Sequence, residues 1–160
     1  MKQLWAPWRM AYIDQNSEES GCIFCDKHQA RDPRAELVLA LTAHSVVMLN
    51  KYPYANGHLL LAPKRHEKEL SHLTADEYCD LNEALRRAID VVHKVLKPGG
   101  LNVGMNLGKC AGAGVENHLH WHVVPRWEGD TNFMPVVSET RVIPQHLVDS
   151  YDQLQAHFLK

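Results

Sequence analysis

A capped amphipathic helix with short strands on both sides is the strongest constraint on how this chain can fold. Thr74-Ala75-Asp76-Glu77 is a capping box, in which the Thr74 hydroxyl accepts from the third helical amide while the Glu77 side chain reaches back. Tyr78, Leu81, Leu85, Ala88 and Val92 then recur every three or four residues as one apolar face, and Pro98-Gly99-Gly100 ends the pattern. Before this helix, residues 36–42 and 45–51 read as strands joined by a turn at Ala43-His44. Pro53, Asn56 and Gly57 supply turn chemistry, and residues 58–62 read as a third strand stopped by Pro63. After the helix, residues 101–107 read as a strand and residues 108–114 as a glycine-containing loop. Residues 118–124 form another strand, stopped by Pro125. Residues 145–160 predict a terminal helix through Leu147, Tyr151, Leu154 and Phe158. Strands, one long helix and strands again is the order of an α+β fold with an antiparallel sheet, not of alternating parallel units.

The length, 160 residues, suits one domain. Residues 1–21 form an expected arm, which Trp5, Pro7 and Trp8 can pin to the body, and about 126–160 form a C-terminal extension. Hydrophobic residues make up 45% and charged residues 22%, which excludes a disordered chain. No apolar run approaches the ~18 residues of a membrane span. The first residues lack the apolar core of a secretory signal, so a cytoplasmic protein is expected. The net charge of -2 argues against gripping long nucleic acid by phosphate neutralisation alone, but not against a small anionic ligand.

Chemistry concentrates in His118-Leu119-His120-Trp121-His122. On a strand, residues two apart share a face, so the three imidazoles line one side while Leu119, Trp121 and Val123 pack on the other. Two readings follow from the strand alone. The three histidines hold one catalytic zinc with an open site for water, or one imidazole is a nucleophile tuned by its neighbours. Cys22-Ile23-Phe24-Cys25 has the spacing of a zinc pair, in which both thiolates reach one ion. His44, His66, His72, His93 and His118 are the candidates to complete it. Cys79 and Cys110 read as unpaired thiols.

Asn50-x-x-Pro53-x-x-x-Gly57-His58-x-Leu60-x-x-Pro63, followed by the glycine-containing loop and His118-x-His120-x-His122, resembles the histidine triad (HIT) superfamily of nucleotide hydrolases and transferases. The continuation Pro125-Arg126-Trp127-Glu128-Gly129-Asp130-Thr131-Asn132-Phe133, with Leu4-Trp5-Ala6-Pro7-Trp8-Arg9, looks like its diadenosine tetraphosphate phosphorylase branch. The resemblance implies that His120 attacks the α-phosphorus of a nucleotide and that phosphate or water then removes the nucleotidyl group. In the same terms His122 is a phosphate-side donor and His58 an orienting partner. Asn50 is expected at the nucleoside, with Asn106, Gly108, Gly112 and Gly114 at the phosphates. It further implies a structural zinc held by Cys22, Cys25, His66 and His118, no organic cofactor, an adenine dinucleoside polyphosphate or mononucleotide as ligand, and a homodimer. Two other readings remain beside it: a nucleotide-binding regulator with weak activity, and a hydrolase using a zinc held by the three histidines. Arg126, whose planar fork suits phosphate, is the candidate for a second anion site unless it pairs with Glu128 or Asp130.

Overall fold

The computed structural model of the protein describes residues 21–27, 29–130 and 143–158. The expectations for Leu4-Trp5-Ala6-Pro7-Trp8-Arg9 and for Thr131-Asn132-Phe133 lie outside the described residues. In chain order the elements are α1 (Ile23–Lys27), β1 (Val38–Leu41), β2 (Ser45–Leu49), β3 (Leu59–Pro63), α2 (Ala75–Leu96), β4 (Gly100–Met105), β5 (Trp121–Arg126) and α3 (Leu147–Phe158). The strands form one sheet in the order β1-β2-β3-β5-β4, with every neighbouring pair antiparallel. This is the expected α+β class.

All five residues of β2 and all five of β3 are buried. Such continuous apolar runs require cover on both faces of the sheet. On one face Val47, Leu49, Leu59, Leu61, Leu119 and Val123 meet the α2 residues Leu81, Ala84, Ala88, Val91 and Val92, and the α3 residues Tyr151, Leu154 and Phe158. On the other, Val38, Val46, Met48, Leu60 and Ala62 close around Phe24 of α1. The alternation within β2 and β3 is the two-residue period of a strand made visible. Tyr78, expected on the buried face of α2, is 47% exposed, and Ala84 and Val91 take up contacts that the spacing did not assign.

Most strand limits shift by one to three residues from expectation, Pro63 for instance pairing with Ser45 inside β3, and two of the shifts have a plain physical reason. Pairing of β5 begins at Trp121, so His118 and His120 lie just before the strand and not in it. Pro125 sits inside β5, opposite Leu101 of β4 and beyond Val123, the last residue paired to β3. A residue without an N–H is tolerated where only one neighbour remains. Gly57 turns the chain into β3 with φ +69°, and a Cβ there would collide with Leu96 Cδ1. The positive φ is what favours glycine, and any other residue would also have to displace the Leu96 side chain.

The capping box forms as expected. The Glu77 amide donates to Thr74 Oγ1 (3.2 Å), and the Thr74 amide donates to Glu77 Oε2 (2.9 Å). Arg65 closes on the same carboxylate, with Nε to Oε1 at 2.7 Å and Nη2 to Oε2 at 2.9 Å. The Arg65 hydrogen bond and then the Thr74 amide hold Glu77 down, from 4.5 to about 2. A carboxylate depressed in the folded state contributes stability that is complete above its unfolded pKa and disappears as pH falls toward the folded one. Unfolding midpoints of wild type should therefore fall between pH 4.5 and 2, and Glu77→Gln should flatten that part of the profile. Parallel acid profiles for the two proteins would contradict this role.

Candidate active site and metal centre

The antiparallel register of β3 and β5 sets Leu60 opposite His122 and Leu61 opposite Trp121. His58 directly precedes β3, so it and His122 fall on the same face as diagonal neighbours. His58 Nε2 lies 2.9 Å from His122 Nδ1. The Tyr54 amide donates to His58 Nδ1 (3.0 Å), and Asn50 Nδ2 lies 3.3 Å from the same nitrogen. A neutral His58 whose Nδ1 accepts carries its proton on Nε2 and gives it to His122 Nδ1, which leaves the His122 proton on Nε2. His58 is fully buried, so this direction is fixed by protein groups.

His120 is set the other way round. Its Nδ1 lies 2.8 Å from the His118 carbonyl, an acceptor only, so Nδ1 carries the proton and Nε2 keeps its lone pair. Burial lowers its pKa, so the ring is neutral at neutral pH. Its ring centroid is 4.9 Å from that of His122 in an edge-on arrangement. An unprotonated ring nitrogen beside a ring N–H is a nucleophile next to a donor.

His118 turns away from this pair. Its Nε2 donates to the Pro63 carbonyl (2.8 Å), so the Nδ1 lone pair faces the cysteines. Nδ1 lies 3.1 Å from Cys22 Sγ and 3.6 Å from Cys25 Sγ, and His66 Nδ1 lies 3.2 Å from Cys25 Sγ. The four ligand atoms all fall within 4.8 Å of one another. Tetrahedral ligands with bonds of about 2.0–2.3 Å stand roughly 3.5 Å apart, so this set of two sulfurs and two nitrogens fits zinc. Burial, foremost, holds His118 down to about 4, which keeps the ligand nitrogen unprotonated. Burial, followed by the neighbouring Cys22 thiol, pushes Cys25 up to about 11 before a metal is bound. Among the described residues this is the one His/Cys/Asp/Glu group that can hold a metal, so the three histidines of the run do not converge on an ion.

The expected nucleotide contacts are distributed as follows. Asn50 braces the turn before β3, its Oδ1 accepting from the Tyr52 amide at 2.9 Å as its Nδ2 faces His58. Asn106 Nδ2 donates to the Gly112 carbonyl (3.4 Å), across the loop after β4. Gly108 and Gly112 flank a single 3-10 turn (Lys109–Ala111) with φ of +83° and +89°, a backbone path that other residues rarely adopt. Gly114 stands apart from them, lining a cleft of about 320 Å³ beside Cys22, His66 and Asn117. Arg126 is not placed as an anion site: it forms a bidentate pair with Asp130 (2.6 and 2.8 Å) and donates to Asn102 (3.0 Å). The sequence reading passed over Phe24 and the Tyr54 amide. Phe24 had a signal, since it lies between the two cysteines of the candidate metal group, whereas a main-chain donor leaves none.

Among the described residues, no helix is long and apolar enough to cross a membrane. The chain is 41% identical over 158 residues to an AP-4-A phosphorylase of Mycobacterium tuberculosis, covering 94% of this chain and 80% of that protein. It is 34% identical over 98 residues to the asymmetrical bis(5'-nucleosyl)-tetraphosphatase of Schizosaccharomyces pombe, covering 61% and 53%. A zinc-bound histidine triad family protein from Mycobacterium smegmatis shares the fold, with a TM-score of 0.68 at 24% identity, covering 87% of this chain and 94% of that one. Residues 34–129 match the HIT domain, and the chain belongs to that family.

Proposed function

We propose that the protein cleaves dinucleoside polyphosphates of the diadenosine tetraphosphate type at the α-phosphorus, through a nucleotidyl group carried on His120. The carrying observation is the pair of contacts His120 Nδ1 to the His118 carbonyl and His58 Nε2 to His122 Nδ1, which together leave a lone pair on His120 Nε2 and a proton on His122 Nε2. In the first step His120 Nε2 forms a bond to the α-phosphorus. The bond to the bridging oxygen breaks, and the leaving nucleotide takes the His122 proton. In the second step an oxygen of phosphate or water attacks the phosphorus and releases the nucleotide from His120. The Gly108–Gly112 turn, with open space around Gly108, supports the phosphates together with Asn106 and Gly114, and Asn50 lines the nucleoside side. The similarity over most of the chain to the M. tuberculosis phosphorylase favours phosphate as acceptor.

In the same proposal Cys22, Cys25, His66 and His118 hold a structural zinc. When bound, the ion supplies rigidity and not reaction chemistry, because all four positions are taken by protein. The cytosol, where such thiols stay reduced, fits this use. The chain is a single HIT domain that forms a homodimer through β4, the end strand of the sheet. Its six residues, Gly-Leu-Asn-Val-Gly-Met, carry no charge, and Val103 is 40% exposed, so the edge lacks the features that block strand addition.

His120→Ala should abolish turnover and leave nucleotide affinity largely intact, since only the covalent path is removed. More than a few per cent of wild-type rate would exclude His120 as nucleophile. His66→Ala and Cys25→Ser should each lower zinc content and thermal stability together, because a metal bound only by the folded form adds its binding free energy to stability. Unchanged zinc in both variants would refute the ligand set. Incubated with diadenosine tetraphosphate in phosphate, the protein should yield ADP and ATP faster than it cleaves without phosphate. AMP and ATP at a rate indifferent to phosphate would assign water as the acceptor.

A further inference from the structure

Phe24 stands between the two cysteines of the metal centre. The Cys25 amide donates to the Cys22 carbonyl at 3.0 Å, so one tight turn carries both thiols and this ring. The ring is fully buried. One side is backed by Val38, Val46, Met48, Leu60 and Ala62, from three different strands. The other side faces the histidines: its centroid is 4.8 Å from the His120 ring, at 33° between planes, and 5.1 Å from the His118 ring.

The His120 ring is hydrogen-bonded through Nδ1 to the His118 carbonyl. A single hydrogen bond fixes a distance but lets an imidazole rock about the N–H···O direction. The Phe24 face and the His122 edge limit that rocking, and with it the direction of the Nε2 lone pair. We propose that Phe24 is a positioning residue that carries the rigidity of the Cys22, Cys25, His66 and His118 centre to the nucleophile. The proposal rests on the reading of His120 given above. The metal centre then reaches His120 by two routes: through the His118 main chain, and through the turn that holds Phe24. Near-attack geometry is demanding enough that a 1 Å misplacement lowers a rate by up to about a hundredfold, so a loosened His120 is read in kcat and not in substrate affinity.

The test uses the full-length protein as wild type, Phe24→Leu and Phe24→Met. The methionine variant keeps most of the side-chain volume without the flat face, and serves where the leucine variant folds poorly. Zinc per chain, kcat and KM for diadenosine tetraphosphate, and the His120 ring-proton NMR resonances are measured before and after chelation. We expect zinc content to be unchanged, KM to stay within about twofold and kcat to fall about tenfold, which is 1.4 kcal/mol. Chelation should lower kcat and move the His120 resonances in wild type, and do both to a smaller degree in either variant, where only the route through the His118 main chain is left to lose. Losses that multiply, a kcat within about twofold of wild type, or a kcat that falls only in step with zinc would overturn the proposal. If wild type turns over no dinucleoside polyphosphate, the proposed function fails. The resonances still decide the role of Phe24: equal shifts on chelation in all three proteins would exclude it.

Discussion

Everything at the site depends on the register between β3 and β5. With Leu60 opposite His122, the face that carries Leu60 and Ala62 also carries His58, His122, His120 and His118. Their order down the face follows from antiparallel pairing. His58 enters β3 at one end and His66 follows it at the other, while His122 and His118 occupy the matching ends of the opposing segment. The His58–His122 pair thus forms at one end and the Cys22, Cys25, His66 and His118 cluster at the other, with His120 between. A slip of one residue would turn these imidazoles toward α2 and bring Leu119, Trp121 and Val123 out against Phe24. The apolar residues on the α2 side oppose such a slip, so the packing that stabilises the sheet also aims the chemistry.

Main-chain groups then assign the protons. The His118 carbonyl, the Pro63 carbonyl and the Tyr54 amide are neither titratable nor mobile in the way side chains are, and each fixes which nitrogen of one histidine is protonated. Adjacent histidines of one run consequently present different nitrogens: His118 offers Nδ1 to the cysteines, while His120 offers Nε2. In the proposed reading this difference separates a ligand from a nucleophile, and among the described residues the three histidines of the run do not gather around one point for an ion.

Much of this was legible in the sequence. The capping box at Thr74 and Glu77 formed as read, because capping is local chemistry over four residues. The face alternation of the histidine run is present although pairing starts only at Trp121: Leu119 and Val123 join the cluster under α2, while His118 and His120 lie against Phe24. Tyr78 was misassigned because a three-and-four spacing fits two neighbouring stripes of a helix, and tertiary packing chose the one through Ala84 and Val91. Arg126 was open for a similar reason: sequence offers a cation with two acids nearby, and only the turn after β5 brings Asp130 onto its fork. Convergence of Cys22, Cys25, His66 and His118 came from family resemblance. No spacing rule joins residues 96 positions apart.

Burial ties the two halves of the site into one design. An exposed imidazole titrates near neutrality, where a fraction is always protonated and unable either to ligate or to attack. Placing His118 and His120 against the fully buried Phe24 lowers the pKa of both rings through the same desolvation, and carbonyl hydrogen bonds only partly offset it. The same enclosure limits how water reaches His120, which the proposed transfer to a dilute acceptor needs. A small apolar cluster on the face of the sheet opposite α2 therefore does for chemistry what the larger cluster under α2 does for stability. Phe24 is the residue of that cluster in contact with both histidines, and in the proposal made above it is where a change in packing becomes a change in reactivity.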